Sequence, residues 1–206
     1  MLSPTRDRVD KPVAYVRFLL AAQRIGIPVL AGRVGAFGLI LEALGIAMFD
    51  SGLGQAEGFN LASLNRRKTV RGDSSSAPQG SRRIYLRPLK TTLPSGMVER
   101  ILGERGLRSS FACALECCRW RDQQDLGERC REHYLRVRQD EVAQVGRQPT
   151  SSMRLSDLHN DLTEARELAL VVVRTLRHRG HEPPRFDHLD RWLAVIATVT
   201  ELAAAA

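Results

Sequence analysis

Hydrophobic and polar positions near the start of the chain alternate with the spacing of a helix and then merge into continuous apolar runs. Residues 11–25 predict a helix that buries Val16 and Leu19, and Gly26 follows it as a closing residue. Residues 27–34 form an apolar run rich in branched side chains, which predicts a strand covered on both faces. The chain therefore begins with a helix and a buried strand.

The same order repeats at once. Residues 35–45 predict a short helix that ends at Gly45, and residues 46–50 predict a second buried strand. Two strands separated by one helix and short glycine connections should lie parallel, with a right-handed crossover. The fold class predicted for this part of the chain is α/β.

Candidate chemistry lies after these two strands, because loops at the carboxyl ends of parallel strands form the functional face of α/β folds. Gly32 lies near the end of the first strand and Gly35 just after it, and Asp50 ends the second. Glycine lets a ligand approach the backbone closely, and an aspartate at a strand end can serve as nucleophile or base. An aspartate there is also a common turn or cap residue, so two interpretations of Asp50 stand side by side.

Residues 66–83 interrupt this pattern with a polar stretch rich in Ser and Gly and basic at both ends, which predicts a flexible linker or insertion. Residues 84–93 predict an edge or irregular strand, because Pro88 cannot donate to a sheet. Helical spacing prevails from residue 94 onward. The predicted regions are a strand-helix segment over 1–65, the linker over 66–83 and a mainly helical region over 84–206.

Within the helical region, one long helix is predicted over 156–178, with Ser156 as its cap. A last helix is predicted from about residue 186. Around the junction of these two helices, residues 177–190 place His178, His181 and His188 among Arg, Gly and Pro, which indicates a solvated loop between the helices.

The positive charge of the chain is concentrated in its middle. Residues 61–110 carry eleven basic and three acidic side chains, whereas residues 1–60 carry six and five and residues 111–206 carry fourteen and fifteen. Such a local surplus indicates either a polyanion partner or a solvated basic loop. No segment has the apolar length of a membrane helix and no secretory signal is evident, so we expect a cytoplasmic protein that does not enter a membrane.

All four cysteines fall within residues 113–130, which in a reducing compartment suggests metal ligands before disulfides. Cys113, Cys117 and Cys118 could converge at a helix end, and a fourth ligand could come from His159 or from Cys130 with His133. Buried free cysteines that bind no metal are the alternative. Zn²⁺ is the metal such a set would hold.

The segment "PVLAGRVGAFGLILEALGIAMFDSGL", the basic stretch, the clustered cysteines and "LHNDLTEARELA" together resemble the C-terminal part of the tRNA-guanine transglycosylases and their DNA-modifying relatives. Members of that family are TIM barrels with an appended zinc-binding subdomain. The resemblance covers roughly residues 10–60 and 84–175. It implies a partial TIM barrel followed by a mainly helical, zinc-containing region.

The resemblance also implies roles for individual residues. The "MFD" motif makes Asp50 the nucleophile that attacks the ribose anomeric carbon as the base leaves, and Gly32 and Gly35 would lie beside the base pocket. The "SDLHN" motif makes His159 the histidine ligand of zinc. Its sulfur donors would be Cys113, Cys117 and Cys118.

The chain departs from the family in several respects, among them the order of its cysteines and a longer stretch between the cysteines and the histidine. The Pro-Thr-Arg segment that follows the family's aspartate is replaced by "SGLGQAEGFN", and only about two barrel strands precede the end of "MFD". A quarter of a barrel exposes strand edges and an apolar face, so we expect an incomplete unit that another polypeptide completes.

Two functional hypotheses follow. The first is a transglycosylase-like protein of nucleic-acid base exchange, acting on tRNA or DNA; if it is active, it is a glycosyltransferase with an aspartate nucleophile. The second is a non-catalytic, zinc-containing module that binds nucleic acid or completes a partner. In the first hypothesis, phosphates would be contacted by Arg66, Arg67, Lys68, Arg71, Arg82 and Arg83.

Overall fold

The structure, a computed structural model, describes residues 7–32, 34–46, 48–50, 82–111, 115 and 129–204. Its α-helices are α1 (Asp10–Arg24), α2 (Gly38–Ala43), α3 (Ser95–Gly103), α4 (Arg105–Arg108), α5 (Cys130–Gly146), α6 (Ser151–His178) and α7 (Asp187–Ala204). Its strands are β1 (Leu30–Ala31), β2 (Met48–Phe49), β3 (Arg83–Leu86) and β4 (Thr91–Pro94). Short 3₁₀ turns cover Gly35–Phe37, Arg87–Leu89 and Ser109–Phe111.

The first part of the chain has the predicted order of helix, strand, helix and strand. Strands β1 and β2 pair in parallel, with Leu30 opposite Met48 and Ala31 opposite Phe49, which confirms the predicted parallel pairing. Both strands are only two residues long, much shorter than the apolar runs suggested.

Glycines end the first two helices, as the sequence predicted. Gly26 and Gly45 have φ values of 77° and 76°, a left-handed conformation that glycine adopts without steric cost. After α2, the Gly45 N–H bonds to the Glu42 carbonyl and the Ile46 N–H to the Leu41 carbonyl. These two bonds satisfy carbonyls that the end of the helix would otherwise leave without partners.

The segment predicted as one irregular strand is instead a hairpin. Strands β3 and β4 are antiparallel, with Ile84 opposite Leu93, and the 3₁₀ turn that contains Pro88 separates them. Lys90 follows that turn with φ at 50°. The prediction treated Pro88 as a defect in a strand, whereas the proline lies in the turn that reverses the chain.

Three long helices make up most of the remainder. Helix α6 begins five residues earlier than predicted, and its cap is Thr150, whose hydroxyl accepts a bond of 3.2 Å from the Met153 N–H. Ser156 is therefore not the cap. It lies inside the helix because the apolar spacing extends back to Leu155.

One buried cluster joins the early and late parts of the chain. Helix α2 packs against α5 and α6, and α6 packs along α7. Phe37 lies edge-on to Trp192 with ring centroids 6.2 Å apart, and both side chains are almost completely buried. The described part of the chain is mostly helical with two small sheets, so the predicted α/β class holds in this broad, helix-rich sense.

None of the described helices combines the length and apolar character that crossing a membrane would require.

Candidate functional site

Asp50 lies where the sequence predicted it, at the carboxyl end of β2. Its N–H donates to the Ala31 carbonyl over 2.8 Å, and its carbonyl accepts from the Val34 N–H over 2.9 Å. These bonds fix the backbone of Asp50 against the loop that follows β1, and the residue is exposed. Asp50 is therefore an exposed residue with a fixed backbone at the ends of the two strands.

The two predicted glycines differ in their surroundings. Gly32 is exposed, and a methyl group built on it would meet no atom of the described residues within 4 Å. Gly35 is buried with φ at 58°, and its carbonyl accepts from Arg138 Nη2 over 3.2 Å. Gly32 therefore borders solvent beside Asp50, whereas Gly35 anchors the far end of the loop.

The two faces of the β1–β2 pair are unlike. Phe49 packs so closely over Gly38 that a Cβ at that position would overlap the aromatic ring. On the opposite face, the register partners Leu30 and Met48 are 64% and 54% exposed. The sequence predicted a buried strand over residues 46–50, and for Met48 that prediction was wrong because α2 covers only one face of the pair.

Only part of the predicted zinc set lies in the described chain. His159 is exposed on α6, and Cys113, Cys117 and Cys118 lie outside the described residues. Of the alternative ligands, His133 is buried, and its Nε2 lies 2.9 Å from the Tyr85 carbonyl oxygen. The structure brings together no three His, Cys, Asp or Glu side chains that could hold a metal ion in its described ranges.

Two of the predicted phosphate-binding residues, Arg82 and Arg83, lie in the described part of the chain. Arg82 is exposed, whereas Arg83 is half-buried and donates through Nη2 to the Thr92 carbonyl over 2.6 Å, across the hairpin. Arg83 therefore has a structural partner. The other members of the set lie outside the described residues: Arg66, Arg67, Lys68 and Arg71.

The sequence analysis did not anticipate a buried cluster of charges between the hairpin and the long helices. Lys90 Nζ lies 2.8 Å from Glu141 Oε1 and 2.7 Å from Asp161 Oδ2. Arg138 Nη1 lies 2.8 Å from Glu141 Oε2, and the Tyr85 hydroxyl donates to the same carboxylate over 3.0 Å. We call these five residues the buried charge cluster.

The cluster is balanced, with two cations and two carboxylates. Lys90, Arg138 and Glu141 are 3%, 4% and 2% exposed, which makes the loss of any one charge costly. Burial works to raise the pKa of Glu141, but the charges and hydrogen bonds of Lys90 and Arg138 outweigh it and hold that pKa below its ordinary value. Glu141 is therefore ionised at neutral pH.

One feature of the sequence could have revealed this cluster. Tyr134, Val137, Arg138 and Glu141 share the buried face of α5, so two charged residues three positions apart occupy an otherwise apolar stripe. Charges at such positions are seldom fully buried unless they are paired. The third partner, Lys90, gives no such signal, because it lies in a turn more than 40 residues away.

Two histidines are buried in the interior. Nε2 of His188 lies 3.1 Å from the Leu89 carbonyl oxygen, and its ring lies edge-on to Trp192 at 5.0 Å. Burial lowers the pKa of His188 to about 4 and also lowers that of His133. The prediction that His188 belongs to a solvated loop was wrong, because α7 begins one residue before it and carries it into the core.

Comparisons with known proteins found no match: no protein-family model, no curated protein and no solved structure resembles the chain closely enough to report.

Proposed function

We propose that the chain is a transglycosylase-like unit of nucleic-acid base exchange, part of a TIM-type barrel, with Asp50 as its nucleophile. The observation that supports this most is the position of Asp50, an exposed residue at the carboxyl end of β2 and beside the loop that contains the exposed Gly32. Parallel strands present their reactive groups at this end.

The proposed reaction needs only one carboxylate for covalent catalysis. A carboxylate oxygen of Asp50 bonds to the ribose anomeric carbon while the bond to the outgoing base breaks, and that base leaves with the bonding electrons and takes up a proton. An incoming base then bonds to the same carbon, loses a proton, and displaces Asp50 as a free carboxylate. Both steps pass through an oxocarbenium-like centre that the negative charge stabilises.

A second polypeptide would complete the barrel. Support comes from the face of the β1–β2 pair that bears Leu30 and Met48, because two large apolar side chains at adjacent register positions are exposed together. Two-stranded sheets are marginally stable by themselves, and further strands that closed this pair into a barrel would bury the face that points inward.

The same proposal includes a structural Zn²⁺ site formed by His159 with Cys113, Cys117 and Cys118. The donor chemistry of three thiolates and one imidazole is that of structural zinc sites. The exposed position of His159 on α6 leaves its ring accessible to ligands from another part of the chain.

The test is release of labelled base from nucleic acid. The tagged full-length chain, purified from its own cells with the polypeptide that completes it, is incubated with tRNA or DNA radiolabelled in one base at a time. We expect release of one base in exchange for an added free base, and loss of that release in Asp50→Asn with binding unchanged. Glu164→Gln, which alters an exposed carboxylate on α6, is the matched control.

A second candidate is a non-catalytic module that completes a partner, and the exposed face at Leu30 and Met48 favours it independently of Asp50. The same assay separates the two functions. Binding without base release in the wild-type complex, unchanged by Asp50→Asn, would replace the first function with the second.

A further inference from the structure

The face of α6 that points away from the core carries two apolar side chains between two blocks of opposite charge. Leu170 and Val171, the apolar pair, are 55% and 46% exposed although they lie well inside the helix. Side chains three or four positions apart share one side of a helix, so the charged residues on either side of this pair belong to the same face. We define the exposed stripe of α6 as the following residues, all of them exposed: Glu164, Glu167, Leu170, Val171, Arg174 and Arg177.

The charges of the exposed stripe are grouped by sign rather than paired along the helix. Glu164 and Glu167 are three positions apart, and like charges this close on a helix repel each other. The same spacing separates Arg174 from Arg177. By contrast, α5 and α7 each have an ion pair between residues four positions apart. The helix dipole favours arginines near the end of α6, but it does not account for two glutamates far from its first turn.

Neighbouring side chains leave these four charges unbalanced. Ion pairs join Asp161, Arg166 and Arg179 to residues of other segments, and none that the described residues form includes a member of the stripe. The exposed Glu182 in the loop after α6 makes no ion pair with either arginine of the stripe within the described chain, and it could offset only one of the two. The stripe therefore has an acidic block and a basic block, with the apolar pair between them.

The exposed stripe is complementary to its own reverse. Glu167 lies three positions before the apolar pair, and Arg174 lies three positions after it. Glu164 and Arg177 lie six positions before and after it. A second copy of α6 that runs in the opposite direction and meets the first at the apolar pair therefore brings acid to base at both distances. A copy that ran in the same direction would bring like charges together.

We propose that the exposed stripe of α6 is the interface of a symmetric dimer, in which a second copy of this chain packs its own α6 antiparallel to the first. Two-fold symmetry repeats every contact, so Glu167 of each copy faces Arg174 of the other. These two residues are seven positions apart, which is close to two full turns, so they lie on nearly the same side of the helix. The apolar pairs of the two copies pack on each other at the two-fold axis.

The interface is small, so the dimer is weak. The stripe spans about 20 Å along the helix, and one helix from each copy buries less than the roughly 800 Å² per partner of a standard complex. We expect a dissociation constant on the order of 10–100 µM. Low ionic strength favours the dimer, because salt screens ion pairs at an exposed interface.

The test is sedimentation equilibrium of the full-length chain between about 5 and 200 µM, at about 50 mM salt. The variants E167R and R174E each bring like charges together in the dimer and should weaken association at least about tenfold. An equimolar mixture of these two variants should associate about as strongly as the wild-type protein, because each reversed charge then faces an opposite charge on the other chain. The double variant E167R/R174E should recover association for the same reason.

The matched control is E99R, which makes the same charge change at an exposed position on α3 and should associate like the wild-type protein. A wild-type protein that stays monomeric over the whole concentration range would overturn the proposal. So would a dimer that neither single variant weakens, because its interface would lie elsewhere. A loss that E99R shares, or that neither the mixture nor the double variant recovers, would overturn it in favour of net charge or altered folding.

The dimer goes beyond the proposed reaction and can fail separately from it. Asp50→Asn should leave association unchanged. A wild-type protein that dimerises through the exposed stripe but releases no base would refute the reaction and leave the dimer in place.

Discussion

Replacing Glu141 by glutamine should lower the stability of the protein more than the substitution of any exposed charged residue. The change keeps the size of the side chain but removes the one carboxylate that contacts both Lys90 and Arg138, each over 2.8 Å. Lys90 would retain the carboxylate of Asp161, which is itself half exposed, whereas Arg138 would retain no carboxylate among the described residues and would have only uncharged oxygens, such as the Gly35 carbonyl, as partners. Removing one partner of a buried pair typically costs about 3–5 kcal/mol, and we expect the free energy of unfolding to fall by that amount.

The measurement is urea unfolding at pH 7, followed by far-ultraviolet circular dichroism. A valid comparison needs the same dependence of free energy on urea concentration in both proteins, because that slope reports the surface exposed on unfolding. Glu132→Gln is the control on the same helix, since it removes an exposed ion pair with Arg136 and should cost less than about 0.5 kcal/mol. A loss below about 1 kcal/mol for Glu141→Gln would refute the reasoning, since a buried cation left without its carboxylate should cost more.

A second variant tests whether the buried charges contribute net stability. The triple variant K90M/R138M/E141L replaces all three buried charges by apolar side chains of similar volume. Such replacements are often neutral or stabilising, because they remove the cost of desolvating the charges along with the attraction between them. The triple variant should therefore be more stable than Glu141→Gln. The opposite order would mean that the buried charge cluster contributes net stability.

Three more predictions concern stability and metal content. Burial lowers the pKa of His188 from its ordinary 6.5 to about 4, so between these values the unfolded chain binds more protons than the folded one. The free energy of unfolding should fall by up to about 3 kcal/mol as pH drops through that window. Urea unfolding of the His188→Gln variant at several pH values should show that most of this pH dependence is lost. Gly38→Ala should lower the free energy of unfolding by about 1–3 kcal/mol in the same assay, because the added methyl group overlaps Phe49. Gly96→Ala is the control and should cost nothing, because its methyl group meets no atom of the described residues within 4 Å. Equal losses in the two variants would contradict the packing argument. Elemental analysis of protein purified without added metal should find near-stoichiometric zinc that is lost in His159→Ala, and a folded wild-type protein without zinc would refute the proposed metal site.

Features that depend on only a short stretch of neighbouring residues were predicted well from the sequence. Gly26 and Gly45 end helices as expected, and the parallel pairing of β1 and β2 follows from a strand-helix-strand order with short connections. These features depend on backbone conformations that individual residues favour, so they can be predicted without knowing what packs against them.

The errors came from tertiary contacts. Met48 has the composition of a core residue, but its exposure depends on which face of the strand pair α2 covers. His188 lies in a polar, proline-rich stretch, yet α7 carries its ring against Trp192. Burial of a single residue is set by the elements that pack on it, and local pattern carries little of that information.

The position of the candidate site could be predicted from the sequence, but the contacts that hold its loop in place could not. The sequence placed Asp50 and Gly32 at the ends of two parallel strands, and the structure has them there. The contact that holds the far end of their loop, from Arg138 on α5 to the Gly35 carbonyl, spans more than 100 residues and has no sequence signature.

That contact links the two regions of the chain that the sequence divided. Arg138 is itself fixed by Glu141, and Glu141 by Lys90, so the loop beside Asp50 depends on charges supplied by the hairpin and by α5. A buried ion pair adds little net stability, but it strongly disfavours arrangements in which either charge lacks its partner. We therefore expect the buried charge cluster to act through specificity: of the ways in which the apolar faces of α2, α5 and α6 could pack, it should favour the one that brings Arg138 to Gly35. The geometry at Asp50 is in this sense determined by residues that lie nowhere near it in the sequence.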